Sequence, residues 1–218
     1  MHRTILITMV AALVFAISSP LMAQSDFSAD IVSHDQGKDS NRATVYVTKD
    51  RMRVESQGQN GREGVFIVNF ATQTSDVLMP EHKMYMEMHS NQGPGAQRTW
   101  AYFRAADVDN ACSDWLKMSA RPYADCHKVG NETVNGRNTV KYQGTSQSGE
   151  VYTVWLDSKL AFPIKWQGKN GGGEMQNIKV GSLSASLFEI PPDYQKMQMP
   201  MGMPGMPPGG PGAPPRHP

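Results

Sequence analysis

The chain has 218 residues, with 21 lysines and arginines against 20 acidic residues and a net charge of +1. Because the basic residues form no run or stripe, the charge pattern gives no support for nucleic-acid binding. The length is sufficient for one domain with a hydrophobic core of its own.

The first 23 residues have the features of a secretory signal peptide. His2 and Arg3 give a basic start, an apolar run covers 5–17, and Ala23 closes a short segment suited to cleavage. The apolar run is too short to span a bilayer, and no later segment is apolar enough to do so. We therefore predict an exported chain whose mature form begins at Gln24, in the periplasm or outside the cell. An uncleaved membrane anchor is the alternative.

The next part of the chain alternates apolar and polar residues. This period of two is typical of an antiparallel sheet with one packed face and one solvent face. One segment, 65–70, is apolar on both sides, which predicts a central strand. The six predicted strands are 27–33, 42–48, 51–56, 65–70, 73–79 and 82–89.

The middle of the chain changes to a helical period. An amphipathic helix with Asp107 as its N-cap is predicted from the spacing of its apolar residues. These residues are Val108, Ala111, Cys112, Trp115 and Leu116. A second helix is predicted at 97–104. Cys112 and Cys126 are the two cysteines, and in an oxidising compartment they predict one disulfide, with a redox or metal-binding pair as the alternative.

Strands return in the second half. A strand begins near Cys126, and Asn135 with Gly136 is a typical two-residue hairpin turn. Further strands are predicted at 137–145, 150–157, 163–168 and 174–180, and a short helical turn at 184–188 is expected before Pro191 and Pro192 end the domain. The fold class is mostly β with an α insert, in one antiparallel sheet of about ten strands with one or two helices.

The last 22 residues differ from the rest in composition. Residues 197–218 contain five Met, eight Pro and five Gly. Such a segment cannot bury enough apolar surface to offset its ordering entropy. We predict a disordered tail at 197–218, which leaves a single domain at 24–196.

Several runs resemble a known superfamily. The runs VYTVWLD (151–157) and FPIKW (162–166), and the ending LFEIPPDY (187–194), resemble the LolA-like superfamily. Within it, the cysteine pair, the run ETVNGR (132–137) and the tail are similar to exported bacterial proteins with the DUF4412 domain. The resemblance covers about 27–197. It implies an unclosed half-barrel with helices on its concave side and an apolar cavity that takes acyl chains.

The run KMYMEMH at 83–89 is the most distinctive local motif. Period two places its three methionines on one face, and methionine is a flexible side chain suited to variable apolar ligands. We predict an apolar ligand site that also uses three tryptophans. Its residues are Met84, Met86, Met88, Trp115, Trp155 and Trp166. An ordinary core strand and a soft-metal site are the alternatives for the three methionines.

The tail contains a second group of methionines. Thioether sulfur is a ligand for soft ions such as Cu(I) and Ag(I), which predicts a metal-handling function as an alternative. The residues are Met197, Met199, Met201, Met203 and Met206. A low-complexity tail without a ligand is the other interpretation.

The sequence contains no recognisable catalytic motif. It has no G-x-S-x-G run and no H-E-x-x-H run, and the histidines His34, His82, His89 and His127 are scattered. We therefore predict a non-enzymatic protein without a cofactor. Its expected partner is a lipid or the acyl chain of a lipoprotein. A structural or stress-related envelope protein without a small ligand is a third possibility, and the sequence leaves the oligomeric state open.

Overall fold

The computed structural model describes residues 25–35, 38–57, 63–89, 104–113 and 125–197. These residues contain twelve strands: β1 (Phe27–Asp35), β2 (Lys38–Val47), β3 (Arg51–Gln57), β4 (Glu63–Asn69), β5 (Thr74–Met79), β6 (Met84–His89), β7 (Asp125–Val134), β8 (Arg137–Thr145), β9 (Val151–Asp157), β10 (Pro163–Gln167), β11 (Gly171–Val180) and β12 (Gln195–Lys196).

All twelve strands belong to one sheet. Their order is β12-β6-β5-β4-β3-β2-β1-β11-β10-β9-β8-β7, so the described strands do not close into a barrel. Neighbouring strands are antiparallel, except that β12 is parallel to β6. The predicted fold class is confirmed: the protein is mostly β with an unclosed sheet, and its described residues contain twelve strands where about ten were expected.

The register from β1 to β6 aligns residues in rows that cross the sheet. On one face, which we call the core face, two rows run through directly opposite positions of six strands. The first row is Ala29, Val45, Val54, Phe66, Val77 and Met86, and the second is Phe27, Val47, Met52, Val68, Ser75 and Met88. Most of these side chains belong to the main hydrophobic core, which also includes Phe162 from the second half of the chain.

The opposite face, which we call the cleft face, carries an apolar cluster of its own. Val65, Ile67 and Leu78 are buried there. They are covered by residues 183–194, the C-terminal segment, which contributes Phe188 together with the partly buried Leu183, Leu187, Ile190 and Tyr194. β4 is therefore packed on both faces, as its apolar sequence predicted. The expectation of one solvent face across the whole sheet is wrong at this segment.

The chain continues into the sheet after Pro191 and Pro192, and this addition lies within the predicted domain at 24–196. Gln195 N donates to Lys83 O and Met197 N donates to Tyr85 O, both at 2.8 Å. These bonds add β12 to the edge of β6. A strand of two residues is too short to show a hydrophobic period, so the sequence carried no signal for it.

The predicted helical stripe is confirmed in the part that is described. Asp107 accepts a hydrogen bond from Asp109 N at 2.9 Å, which caps a 3-10 turn at Val108–Asn110, and residues 111–113 continue as α-helix. Ala111 is buried against β8 and β9, with Cys112 packed beside it. The remainder of this helix lies outside the described residues. So do most of the predicted helix at 97–104, the predicted signal peptide and the tail beyond 197.

Two further features hold this helical segment in place. Cys112 and Cys126 form the predicted disulfide, with their Cα atoms 5.7 Å apart. The buried Tyr142 hydroxyl donates to Val108 O at 2.7 Å and accepts from Ala111 N at 3.3 Å. One covalent and two hydrogen-bonded links therefore fix the segment against β7 and β8.

The turns of the second half follow the sequence signals. Asn135 and Gly136 join β7 to β8 with φ of 50° and 74°, the left-handed pair that a two-residue hairpin requires. Between β9 and β10, the buried Asp157 carboxylate accepts from Lys159 N and Leu160 N, both at 2.8 Å, and it forms an ion pair with Arg137. These contacts explain why the 151–166 run is a strand, a turn and a strand.

Replacing Tyr142 by Phe should lower the free energy of unfolding by about 1–3 kcal/mol, because the partly buried Val108 carbonyl and the buried Ala111 N–H lose their partner. Chemical denaturation measures the change. Tyr152→Phe is the matched control, since its hydroxyl bonds the exposed Glu150 and its loss should cost less than about 0.5 kcal/mol. Equal effects of the two substitutions would contradict the anchoring role of Tyr142.

Candidate functional site

A cleft of about 540 Å³ lies on the cleft face beside the C-terminal segment. Its floor is one row of directly opposite residues that crosses six strands. The row is Gln176 (β11), Asp30 (β1), Thr44 (β2), Glu55 (β3), Val65 (β4) and Leu78 (β5). The same period two that builds the core face therefore builds the floor of the cleft on the other side.

The cleft is apolar at one end. Val65 and Leu78 are buried, and Tyr194 of the C-terminal segment packs against them. Pro80 and Pro191 also line the cleft, as does the charged Glu63 at the start of β4. Val65 and Leu78 are only 8% and 2% exposed, so the apolar surface that is open at this end is mainly that of Tyr194, Pro80 and Pro191.

The other end of the cleft is polar and charged. Arg53 Nε lies 2.7 Å from Glu55 Oε1, and Asn177 Nδ2 donates to Asp30 Oδ2 at 2.8 Å. Arg53 also donates to Leu187 O at 2.9 Å, which connects the floor to the C-terminal segment. Charged side chains of both signs therefore surround this end in hydrogen-bonded pairs.

An irregularity in the sheet lies at the polar end. The β1–β11 register shifts between Ser28 and Asp30, so β11 has one more residue than β1 across this stretch. Asn177 lies in the extra stretch with φ of 52°. Such bulges redirect side chains, and here both Gln176 and Asn177 line the cleft.

A cluster of ionisable side chains lies on the same face, at the β5–β6–β12 edge. Glu87 Oε1 is 2.9 Å from Lys196 Nζ and 3.1 Å from His89 Nε2. The hydrogen bond from Lys196 lowers the pKa of Glu87. Asp76 lies directly opposite Glu87, its Oδ1 is buried without a hydrogen-bond partner, and burial raises its pKa, with a further rise from the Glu87 charge.

The residues predicted as a ligand site are placed elsewhere. Met84, Met86 and Met88 are half-buried on the core face. Trp155 is buried, its Nε1 donates to Glu132 at 2.9 Å, and two lysine Nζ atoms lie about 5 Å from its ring. Trp115 lies outside the described residues.

The two described tryptophans are on opposite faces of the sheet. Trp166 lies directly opposite Val154, the neighbour of Trp155 in β9, and successive side chains alternate between faces. The structure therefore does not bring Trp155 and Trp166 together. None of the five described residues of the predicted site lines the cleft.

The cleft residues were missed for a physical reason. Asp30, Thr44 and Glu55 occupy the polar positions of alternating strands, which sequence reasoning assigns to solvent. The apolar ending at 187–194 could have indicated this region. An apolar segment after the last long strand must pack against some surface of the sheet, and here that surface adjoins the cleft.

The metal hypothesis stays a prediction. Of the five tail methionines, Met197 is described and is 38% exposed, while Met199, Met201, Met203 and Met206 lie outside the described residues. Within the described ranges, no group of three His, Cys, Asp or Glu side chains is arranged to hold a metal ion. In the same ranges, no helix has the length and hydrophobicity of a membrane span.

Comparison with known proteins gives similarity in structure alone. A scan against protein-family models found no match, and a search of curated protein sequences found none either. An uncharacterized conserved protein from Thermus thermophilus matches with a TM-score of 0.53 and 12% identity, over 81% of this chain and 91% of that chain. This likeness shows a shared fold.

Two further structures are similar at lower scores. One is MucB in the MucA/MucB complex of Pseudomonas aeruginosa, with a TM-score of 0.49, 14% identity and 86% of this chain covered. This chain spans 63% of the length of that one. The other is a putative outer membrane lipoprotein-sorting protein domain from Vibrio parahaemolyticus, with a TM-score of 0.34 and 13% identity, over 76% of this chain and 89% of that chain. Membership of the DUF4412 family stays a prediction.

The edge cluster predicts two pH effects of opposite sign. Because the pKa of Asp76 is raised above 3.8 in the folded protein, the wild type loses stability as the pH rises from about 3.8 through the raised value. Asp76→Asn should therefore increase the free energy of unfolding at pH 7, and this gain should vanish at low pH. Denaturation curves at several pH values measure it.

Glu87→Gln should act in the other direction. The pKa of Glu87 is lowered below 4.5 in the folded protein, so its contribution to stability is present above 4.5 and is lost as the pH falls through the lowered value. The variant should be less stable than wild type at pH 7 and approach it in acid. If the free energies of unfolding of the two variants, relative to wild type, changed with pH in the same direction, the opposite pKa shifts of Asp76 and Glu87 would be contradicted.

Proposed function

We propose that this is an exported, non-enzymatic binding protein that holds a small amphiphilic molecule, such as a lipid or the acyl chain of a lipoprotein, in the cleft. One observation carries the proposal. The floor of the cleft changes from polar residues at Gln176 to Glu55 into apolar residues at Val65 and Leu78. A ligand with a polar group at one end and an apolar chain at the other matches this change.

Size and energy support this ligand class. A cleft of about 540 Å³ is within the usual range for small-molecule sites, roughly 300–1,000 Å³. Burial of an apolar chain against Tyr194, Pro80 and Pro191 would be favourable by about 25 cal/mol for each Å² removed from water. At the polar end, Arg53 and Glu55 offer charges of both signs to a headgroup.

Two observations support the envelope as its location. The sequence predicts a signal peptide at 1–23. The disulfide between Cys112 and Cys126 is of a kind that persists in oxidising compartments such as the periplasm.

A bulky side chain on the floor should block binding. Thr44→Trp would place an indole in the middle of the row, and it should weaken the binding of a fluorescent fatty acid, 11-dansylaminoundecanoic acid, by at least tenfold. Thr133→Trp is the matched control, because Thr133 is an exposed strand residue outside the cleft. It should bind the probe like the wild type.

Two outcomes would contradict the proposal. Absence of probe binding by the wild type, together with native mass spectrometry that finds no co-purified lipid in protein from its own envelope, would remove the ligand class. Binding that is unchanged in Thr44→Trp would place the ligand outside the cleft. The core-face residues Met84, Met86 and Met88 would then be the next candidates.

A further inference from the structure

The core face ends in methionines at its β6 edge. Met79 lies directly opposite Met84, at the β5–β6 turn. Met86 and Met88 follow at alternate positions of β6 and therefore point to the same face as Met84. Four thioethers thus share one end of the core face.

The C-terminal strand adds a fifth methionine. Gln195 is opposite Met84 and Lys196 is opposite Tyr85, so Met197 comes next, beside Met86. Its N–H donates to Tyr85 O at 2.8 Å, which continues the hydrogen bonding of the parallel pair. Lys196 contacts Glu87 on the cleft face. Because successive side chains of a strand alternate between faces, Met197 points to the core face.

These methionines differ from the others in the core by their exposure. Met52 and Met175 are 3% and 1% exposed, whereas Met84, Met86 and Met88 are half-buried and Met197 is 38% exposed. Solvent therefore reaches the sulfur-rich edge. The charged residues of β6, Glu87 and His89, lie on the other face by the same alternation.

The chemistry of this edge selects one class of ligand. Thioether sulfur is a soft, uncharged ligand that suits Cu(I) and disfavours hard ions such as Mg²⁺ and Ca²⁺. Directly opposite Cβ atoms lie about 5 Å apart, and residues i and i+2 of a strand about 7 Å apart, so flexible methionine side chains can converge on one ion.

We propose that Met84, Met86, Met88 and Met197, with Met79 beside them, form a binding site for a soft monovalent ion, Cu(I) or Ag(I). The sequence separates these residues into two groups more than a hundred positions apart. The parallel pairing of β12 with β6 joins them. The site is on the core face and is independent of the lipid cleft on the opposite face.

The test is an anaerobic titration of the full chain with Cu(I) in competition with bicinchoninate. The triple variant M84L/M86L/M88L removes three sulfurs and keeps nearly the same side-chain volume. It should bind Cu(I) at least tenfold more weakly than the wild type. The control M52L/M175L removes two buried sulfurs and should bind like the wild type, and thermal unfolding verifies that both variants are folded.

A second variant separates this site from the tail, which continues the alternation of methionine beyond the described residues. It keeps Met197 and carries leucine at Met199, Met201, Met203 and Met206. We expect its affinity for Cu(I) to stay within threefold of the wild type. Its X-ray absorption spectrum should show sulfur ligands around the ion.

Three results would overturn the proposal. They are wild-type binding by M84L/M86L/M88L, loss of binding in the tail variant alone, and no Cu(I) binding by the wild type.

Discussion

The register of the first six strands is the constraint on which the other features depend. The ladders from β2 to β6 contain no shift, so each residue in them has a directly opposite partner. A slip of one residue in any of these ladders would exchange the two faces of a strand. The apolar rows of the core face would then be broken, and with them either the graded floor of the cleft or the methionine edge, depending on the ladder that slips.

The sequence predicted the features that depend on neighbours in the chain. Alternation located the long strands, Asn135 and Gly136 located a hairpin turn, and the stripe of Val108, Ala111 and Cys112 located the helical segment. Each of these signals is contained in fewer than about ten residues, and local periodicity is sufficient to detect it. The apolar character of 65–70 also predicted that β4 is packed on both faces, although not what covers its second face.

The candidate sites depend instead on pairings between distant residues. Trp155 and Trp166 look equivalent in sequence, yet the register shift between Pro163 and Lys165 and the alternation of β9 place them on opposite faces. The cleft combines β11 with β1 to β5 and the C-terminal segment, and no local period indicates which charged residues meet there. The β12 strand is likewise visible only through its partner β6. Sequence reasoning therefore located the methionines of β6 and missed the strand that lies beside them.

The position of β1 has a consequence for folding kinetics. β2 to β6 and β7 to β11 are two runs of strands in which each pairs with the next along the chain, and β1 joins the runs by pairing with both β2 and β11. The hairpins within each run form from nearby residues, whereas the junction brings together residues as distant as Phe27 and Val180. Contacts of such separation form slowly, because loop-closure entropy opposes them. Until they form, β1 and β11 are open edges, and this interval is when a newly synthesised chain is most exposed to aggregation.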